Sequence, residues 1–133
     1  MKHSLILNNE PIDEAALKLS RPPLLNEGAV LVFLGVVREV EGTERLSALE
    51  YEAFRPMAEH QFNQLFRRAA ELWPSLTSVR LVHRIGRVAV GETSLWLEVI
   101  APHRGEAFAA GQWLIDEMKR VVPIWKRNVP KPS

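Results

Sequence analysis

The chain has 133 residues, 47% apolar and 25% charged, a composition that suits one globular domain with a real core and excludes a disordered segment. Its net charge of +1 gives no support to a general nucleic-acid or membrane role. The absence of cysteine excludes disulfides, thiolate metal sites and cysteine nucleophiles.

The start of the chain, Met1 to Leu7, has too short an apolar run for a signal peptide, and Asn8, Asn9 and Glu10 end it. No run approaches the length of a membrane span, so a cytoplasmic protein is expected. Ser4 to Leu7 reads as a short strand. Asp13 to Leu19 reads as a short helix with Asp13 as N-cap, and Arg21-Pro22-Pro23 as a loop. Gly28 to Val37 is a nearly continuous apolar run rich in β-branched residues. That predicts a central strand buried on both faces. It ends at Arg38, Glu39 and the turn-like Glu41-Gly42-Thr43-Glu44. The next strand, Leu46 to Phe54, alternates Leu49, Tyr51 and Ala53 with Glu50 and Glu52. The two carboxylates share a face, which reads as solvated in preference to an acid–base pair.

Pro56 suits the first turn of a helix whose apolar face runs through Ala58, Phe62, Leu65, Phe66, Ala69, Leu72 and Trp73 to a stop at Pro74. Strands Ser78 to Ile85 and Ser94 to Ala101 follow, with a turn at Val90-Gly91-Glu92 between them. His83 alternates with Val79 and Leu81, which reads as a satisfied histidine at the core edge. The last helix spans about Gly105 to Val122. Its stripe, counted from Phe108, takes in Gly111, Leu114, Ile115, Met118 and Val122, and Pro123 ends it. Trp113 lies opposite that stripe, against another element or in a subunit interface. No repeat, low-complexity tract or linker interrupts the pattern. The expectation is a single α+β domain over residues 1–133, with a mainly antiparallel or mixed sheet and flanking helices.

Three features carry possible chemistry. No acidic side chain follows Glu117, whereas Lys119, Arg120, Lys126, Arg127 and Lys131 do, so a local anion site is expected at this end. Lys119 is one turn past Ile115, at the edge of the apolar stripe. Beyond Pro123, Lys126 can fold back towards it with Trp125 as a wall. Two such amines can hold an anion, or both can simply reach out to water. His103-Arg104 sits where a strand ends and a helix begins. Helix N–H groups and a guanidinium favour an anion there, and an ordinary solvent-exposed turn fits equally well. Four scattered histidines make no metal motif, and no phosphate-binding glycine loop is present.

Taken in order, Gly35-Val36-Val37-Arg38, Leu49-Glu50-Tyr51-Glu52, Pro56-Met57-Ala58, Val82-His83-Arg84-Ile85-Gly86, Val90-Gly91-Glu92, Ala101-Pro102-His103-Arg104, Ala107-Phe108, and Lys119 with Pro123-Ile124-Trp125-Lys126 form a distinctive set. Together they resemble the large, catalytic subunit family of molybdopterin synthase, from about Gly28 to Arg127. The resemblance implies an α/β hammerhead fold assembled as a homodimer. Each chain would bind a small ubiquitin-like sulfur-carrier subunit, giving a heterotetramer. The carrier's thiocarboxylated Gly-Gly tail would supply two sulfurs to cyclic pyranopterin monophosphate, forming the dithiolene, with no cofactor or metal in this chain. Lys119 matches the family's catalytic lysine and Lys126 a second active-site lysine. Arg38, His103 and Arg104 suit clamps for the substrate phosphate. Part of the family's pocket comes from the other protomer, which makes Arg38 a candidate to act in trans. The chain departs from the family after Trp125-Lys126, closing on Asn128 to Ser133 without the longer tail that helps wall the pocket. Two other classes compete: a phosphate-ligand or carrier-docking module without turnover, and a small RNA-binding domain stacking bases on Trp113 and Trp125.

Overall fold

A computed structural model describes residues 1–132; Ser133, the end of the closing segment, lies outside them. The chain runs β1 (Lys2–Asn8), α1 (Glu14–Leu19), β2 (Ala29–Val36), β3 (Val40–Glu41), β4 (Glu44–Ala53), α2 (Arg55–Leu72), β5 (Ser78–Arg84), β6 (Gly86–Ala89), β7 (Thr93–Ala101), α3 (Arg104–Val121) and β8 (Ile124–Pro130). The first sheet has the order β1-β5-β7-β2, with β1 parallel to β5 and the other pairs antiparallel. The second is built on β4, which pairs antiparallel with β3, β6 and β8. The expected α+β class with a mainly antiparallel sheet holds.

Helices α2 and α3 pack on one face of the first sheet. Phe62, Leu65 and Phe66 from α2 and Ala110, Leu114 and Met118 from α3 meet Val79, Leu81, Leu97 and Val99 in the main core. Gly111 lets α3 approach closely: a Cβ there would lie 2.7 Å from Leu31 Cδ2. The buried stripe of α3 is Ala107, Ala110, Gly111, Leu114 and Met118. The stripe drawn from Phe108 was offset by one residue at its start, and Phe108 is exposed. A large apolar residue beside small ones draws the eye, but small ones fit where helix and sheet touch.

Asp13 caps α1 as expected, its Oδ1 accepting from the Ala16 N–H at 3.0 Å. On the other face of the sheet, α1 and the segment after it are held by a buried ion cluster. Glu98 is fully buried and accepts from Arg21 Nε and Arg80 Nε, each at 2.7 Å, and from Arg80 Nη2 at 3.0 Å. Arg80 also donates to the Leu17 carbonyl and Ser20 Oγ and lies over the Trp96 ring. Burial pushes the Glu98 carboxyl up, but the hydrogen bonds and charges of Arg80 and Arg21 outweigh it and hold it below its usual range.

Two expectations need correction. The Gly28 to Val37 run is not a central strand buried on both faces. β2 is the edge of its sheet, and Val32, Phe33, Leu34 and Val36 are exposed. A continuous apolar run marks two covered faces, but it does not say whether the second cover comes from the same chain. The short aromatic and basic segment after Pro123, to which the sequence assigns no regular element, is a seven-residue strand, paired with β4 from Ala53↔Ile124 through Tyr51↔Lys126 to Leu46↔Pro130. Its polar residues and Pro130 suit an edge strand, which hides it from a search for apolar alternation. Strand β6 was also unforeseen. Gly86, with φ of 92°, turns the chain out of β5 in the first sheet and into β6 in the second.

Candidate functional site

A cleft of about 760 Å³ opens where the two sheets and the C-terminal end of α3 converge. The first sheet supplies Leu34 and Val36 from β2, His83 from β5 and Ser94 from β7. The second supplies Tyr51 from β4 and Trp125 and Lys126 from β8, and α3 supplies Met118 and Lys119. Arg38 and Glu41 close one side.

The floor is fixed by hydrogen bonds. The Tyr51 hydroxyl donates to Ser94 Oγ at 3.3 Å, and Ser94 donates to the Gly35 carbonyl at 3.2 Å. His83 meets the Tyr51 ring edge-on at 5.0 Å. It is buried, and its Nδ1 lies 2.7 Å from the Arg84 carbonyl oxygen. Burial lowers its pKa, against the raising effect of that hydrogen bond. Burial thus favours the neutral imidazole, and the carbonyl oxygen beside Nδ1 favours the tautomer with its proton there. The reading of His83 as a satisfied histidine holds, and the same ring also lines the cleft.

The rim is cationic. β8 carries Lys126 back beside β4, and the last turn of α3 carries Lys119 to the same cleft, so the expected fold-back of Lys126 occurs. Lys126 Nζ and Arg38 Nη2 each lie 3.5 Å from Glu41 Oε1. Lys126, more than any other group, holds the Glu41 carboxyl below its usual range; burial opposes this and Arg38 assists. Lys119 has no ion-pair partner among the described residues. Of the candidates named from sequence, Arg38, Lys119 and Lys126 line this cleft. Sequence reasoning missed Tyr51 and Ser94, whose roles depend on sheet-to-sheet contact, and Glu41, which it read only as part of a turn. The signal for Glu41 was its place three residues after Arg38.

His103 and Arg104 are elsewhere. They line a separate concavity with Gly28, Pro102 and Gly105, at the N-terminal end of α3. Arg104 and Lys119 stand near opposite ends of α3, about 22 Å apart along the axis at 1.5 Å per residue. Within one chain Arg38 joins the two lysines, whereas His103 and Arg104 do not. The His103 N–H donates to Glu106 Oε1 at 3.0 Å, and Arg104 has no carboxylate partner among the described residues. Trp113 is not a free stacking platform. It packs edge-on against Trp73, with ring centroids 5.8 Å apart, and lies under the Arg68 guanidinium. Among the described residues no His, Asp and Glu group could hold a metal ion, and no helix is long and apolar enough to cross a membrane.

A family model described as "MoaE protein" matches residues 7–121. The chain is 44% identical over 104 residues to the molybdopterin synthase catalytic subunit of Staphylococcus carnosus, covering 78% of this chain and 69% of that protein. It superposes on the crystal structure of molybdopterin synthase from Staphylococcus aureus with a TM-score of 0.86 and 34% identity, covering 96% and 92% of the two chains. The molybdopterin biosynthesis MoaE protein of Burkholderia ambifaria gives 0.77 at 28% identity, over 100% and 92%.

Proposed function

The chain belongs to the MoaE family, the catalytic subunits of molybdopterin synthase, and from that premise we propose the detailed reaction and the role of each site residue. The reaction is insertion of two sulfurs into cyclic pyranopterin monophosphate to form the dithiolene. The sulfur arrives as a thiocarboxylate on the C-terminus of a small ubiquitin-like carrier. The relatives are named catalytic subunits, which fits a second, non-catalytic partner.

The convergence of Lys119, Lys126 and Arg38 on one cleft carries this reading. The thiocarboxylate and the substrate phosphate are both anions, and a concave site rimmed by three cations is suited to hold them together. The thiocarboxylate sulfur adds to an electrophilic carbon of the pterin side chain, an oxygen leaves after taking up a proton, and water then cleaves the carrier's acyl–sulfur bond, releasing the carrier as its carboxylate and leaving the sulfur on the pterin. Lys119, the cation with no carboxylate partner among the described residues, is placed to give the departing oxygen its proton and to stabilise the negative charge that develops. Lys126 and Arg38 hold the carrier tail and the substrate anion. His83, whose burial favours the neutral ring, shapes the floor with Tyr51 and Ser94. The experiment is reconstitution: the protein, a thiocarboxylated carrier and the pterin precursor should yield dithiolene product. Carrier binding without product would leave only the docking-module reading.

The edge strand β2 supports a homodimer that completes the pocket. Its exposed Val32, Phe33, Leu34 and Val36 form an unpaired apolar edge of the kind that a second copy covers. One end of β2 reaches the cleft at Val36; the other end begins beside Gly28, which donates to the Pro102 carbonyl next to His103-Arg104. Antiparallel pairing of β2 with its own copy sets the start of one strand beside the end of the other. The partner's His103-Arg104 concavity would then lie along this chain's lysine cleft. This assigns the trans role to His103 and Arg104, and leaves Arg38 acting in cis. The expected result is complementation. Arg104→Ala and Lys119→Ala are each inactive alone. After subunit exchange the mixed dimer has one pocket with both residues intact, and activity returns. No recovery from a verified mixed dimer would put Arg104 outside the pocket.

A further inference from the structure

Glu41 has no role in the reaction above, yet among the described residues it is the one carboxylate on the cationic rim. Its Oε1 lies 3.5 Å from both Lys126 and Arg38. We propose that Glu41 is a resident counter-ion that occupies the anion subsite between Arg38 and Lys126, and that an incoming anion must displace it, so that it decides which anions enter.

The geometry makes displacement feasible. Glu41 lies on β3, a strand of two residues that meets β4 through the turn at Gly42, whose φ is +60°. Its backbone is anchored by the two-residue β3–β4 ladder at the margin of the second sheet, so the carboxylate can leave its two cations without disturbing the pairing of β4 with β6 and β8. The neighbouring Glu39 is turned away from the cleft and engages Arg45 and Lys131 instead, at 3.4 and 3.5 Å. Glu41 alone therefore sets the charge balance of the subsite.

The consequence is selectivity. A free carboxylate brings one charge and only exchanges with the one already there, so it gains little. A tail presented by a docked protein arrives at an effective concentration of about millimolar and outcompetes the resident group without any extra contact. A phosphate gains through its higher charge and additional acceptor oxygens. On the sulfurtransferase reading, Glu41 would then keep small cellular carboxylates out while admitting the carrier tail and the phosphorylated substrate. The identity of those ligands rests on that reading; the counter-ion role itself does not.

The test is direct binding by calorimetry at low salt, with inorganic phosphate and N-acetylglycylglycine as separate probes and neither carrier nor pterin present. Glu41→Gln should bind both probes about three- to tenfold more tightly than wild type, the size expected from releasing two partly exposed ion pairs. Glu39→Gln changes the net charge equally and should change affinity little. Adding Lys126→Ala to Glu41→Gln should remove the gain. Equal or weaker binding by Glu41→Gln overturns the proposal, as does an equal gain in Glu39→Gln or a gain that survives loss of Lys126. Failure of either probe to bind both wild type and Glu41→Gln also overturns it. Dithiolene formation is measured separately, so the counter-ion role and the sulfurtransferase reading can fail independently.

Discussion

Replacing Lys119 by alanine should lower the single-turnover rate of dithiolene formation by about 10²–10⁴, the usual worth of a positioned acid–base group. Dimerisation and carrier binding should persist, because Lys119 is exposed and pairs with no carboxylate among the described residues. Its neighbour Met118 faces the core and holds the last turn of α3 in place without it. Lys119→Arg separates the two tasks of the ammonium. Arginine keeps the charge but does not release a proton at any accessible pH. If proton delivery matters, Lys119→Arg stays severely impaired. A rate near that of wild type would reduce Lys119 to an electrostatic anchor. Preloaded carrier avoids confusion with sulfur reloading.

The largest stability effect is expected far from the cleft, at Arg80. Arg80→Ala removes two of the three hydrogen bonds to the fully buried Glu98 carboxylate, together with the anchors to Leu17 and Ser20 that hold α1. Breaking a buried pair from one side typically costs about 3–5 kcal/mol, since a charge is left without adequate partners. Urea unfolding at neutral pH should show a loss of this size. The pH dependence gives a second signature. In the wild type Glu98 is held below its unfolded value, so its stabilisation is present above the ordinary carboxylate range and is lost as pH falls through its folded pKa. In Arg80→Ala burial is opposed only by Arg21, and the carboxyl rises. Mild acidification should then narrow the gap between variant and wild type as Glu98 becomes neutral. A small loss at neutral pH, with no change in the gap on acidification, would show that the cluster contributes little.

Much of the architecture was legible because periodicity reports one-sided burial. Helix α2 was read residue by residue from Ala58 to Ala69, and all five of its buried positions were on the predicted face. Asp13 was legible because a cap is a local hydrogen bond. The exposed edge of β2 was not, since an apolar run records that a surface needs covering and not what covers it. β8 was missed because pairing with β4 is a long-range event that leaves little pattern in a polar edge strand. The site followed the same division. Lys119 and Lys126 stand out by charge placement and Arg38 only by the ordered family residues, and all three line the cleft. The separation of His103-Arg104 from them follows from the predicted helix between Gly105 and Val122, whose length sets the two ends apart; what the sequence does not show is which other element each end meets. Glu41, by contrast, needed the hairpin's geometry before its carboxylate could be placed between two cations.

Strand β8 also has a kinetic meaning. Tyr51 and Lys126 pair across about 75 positions of chain, with α2, three strands and α3 in between. Closing so large a loop costs entropy before its contacts repay it, so such a pairing belongs late in folding. The helices and the first sheet can consolidate around Phe62, Phe66 and Leu97 while the lysine cleft still lacks one wall. Lys126 then reaches its place only when the rest of the domain is already a template for it. Opening in the native state should run the same way: when β8 peels from β4 it draws only Ile124 off the margin of the main core, and a sub-global excursion of this kind dismantles the cleft while leaving the protein otherwise folded.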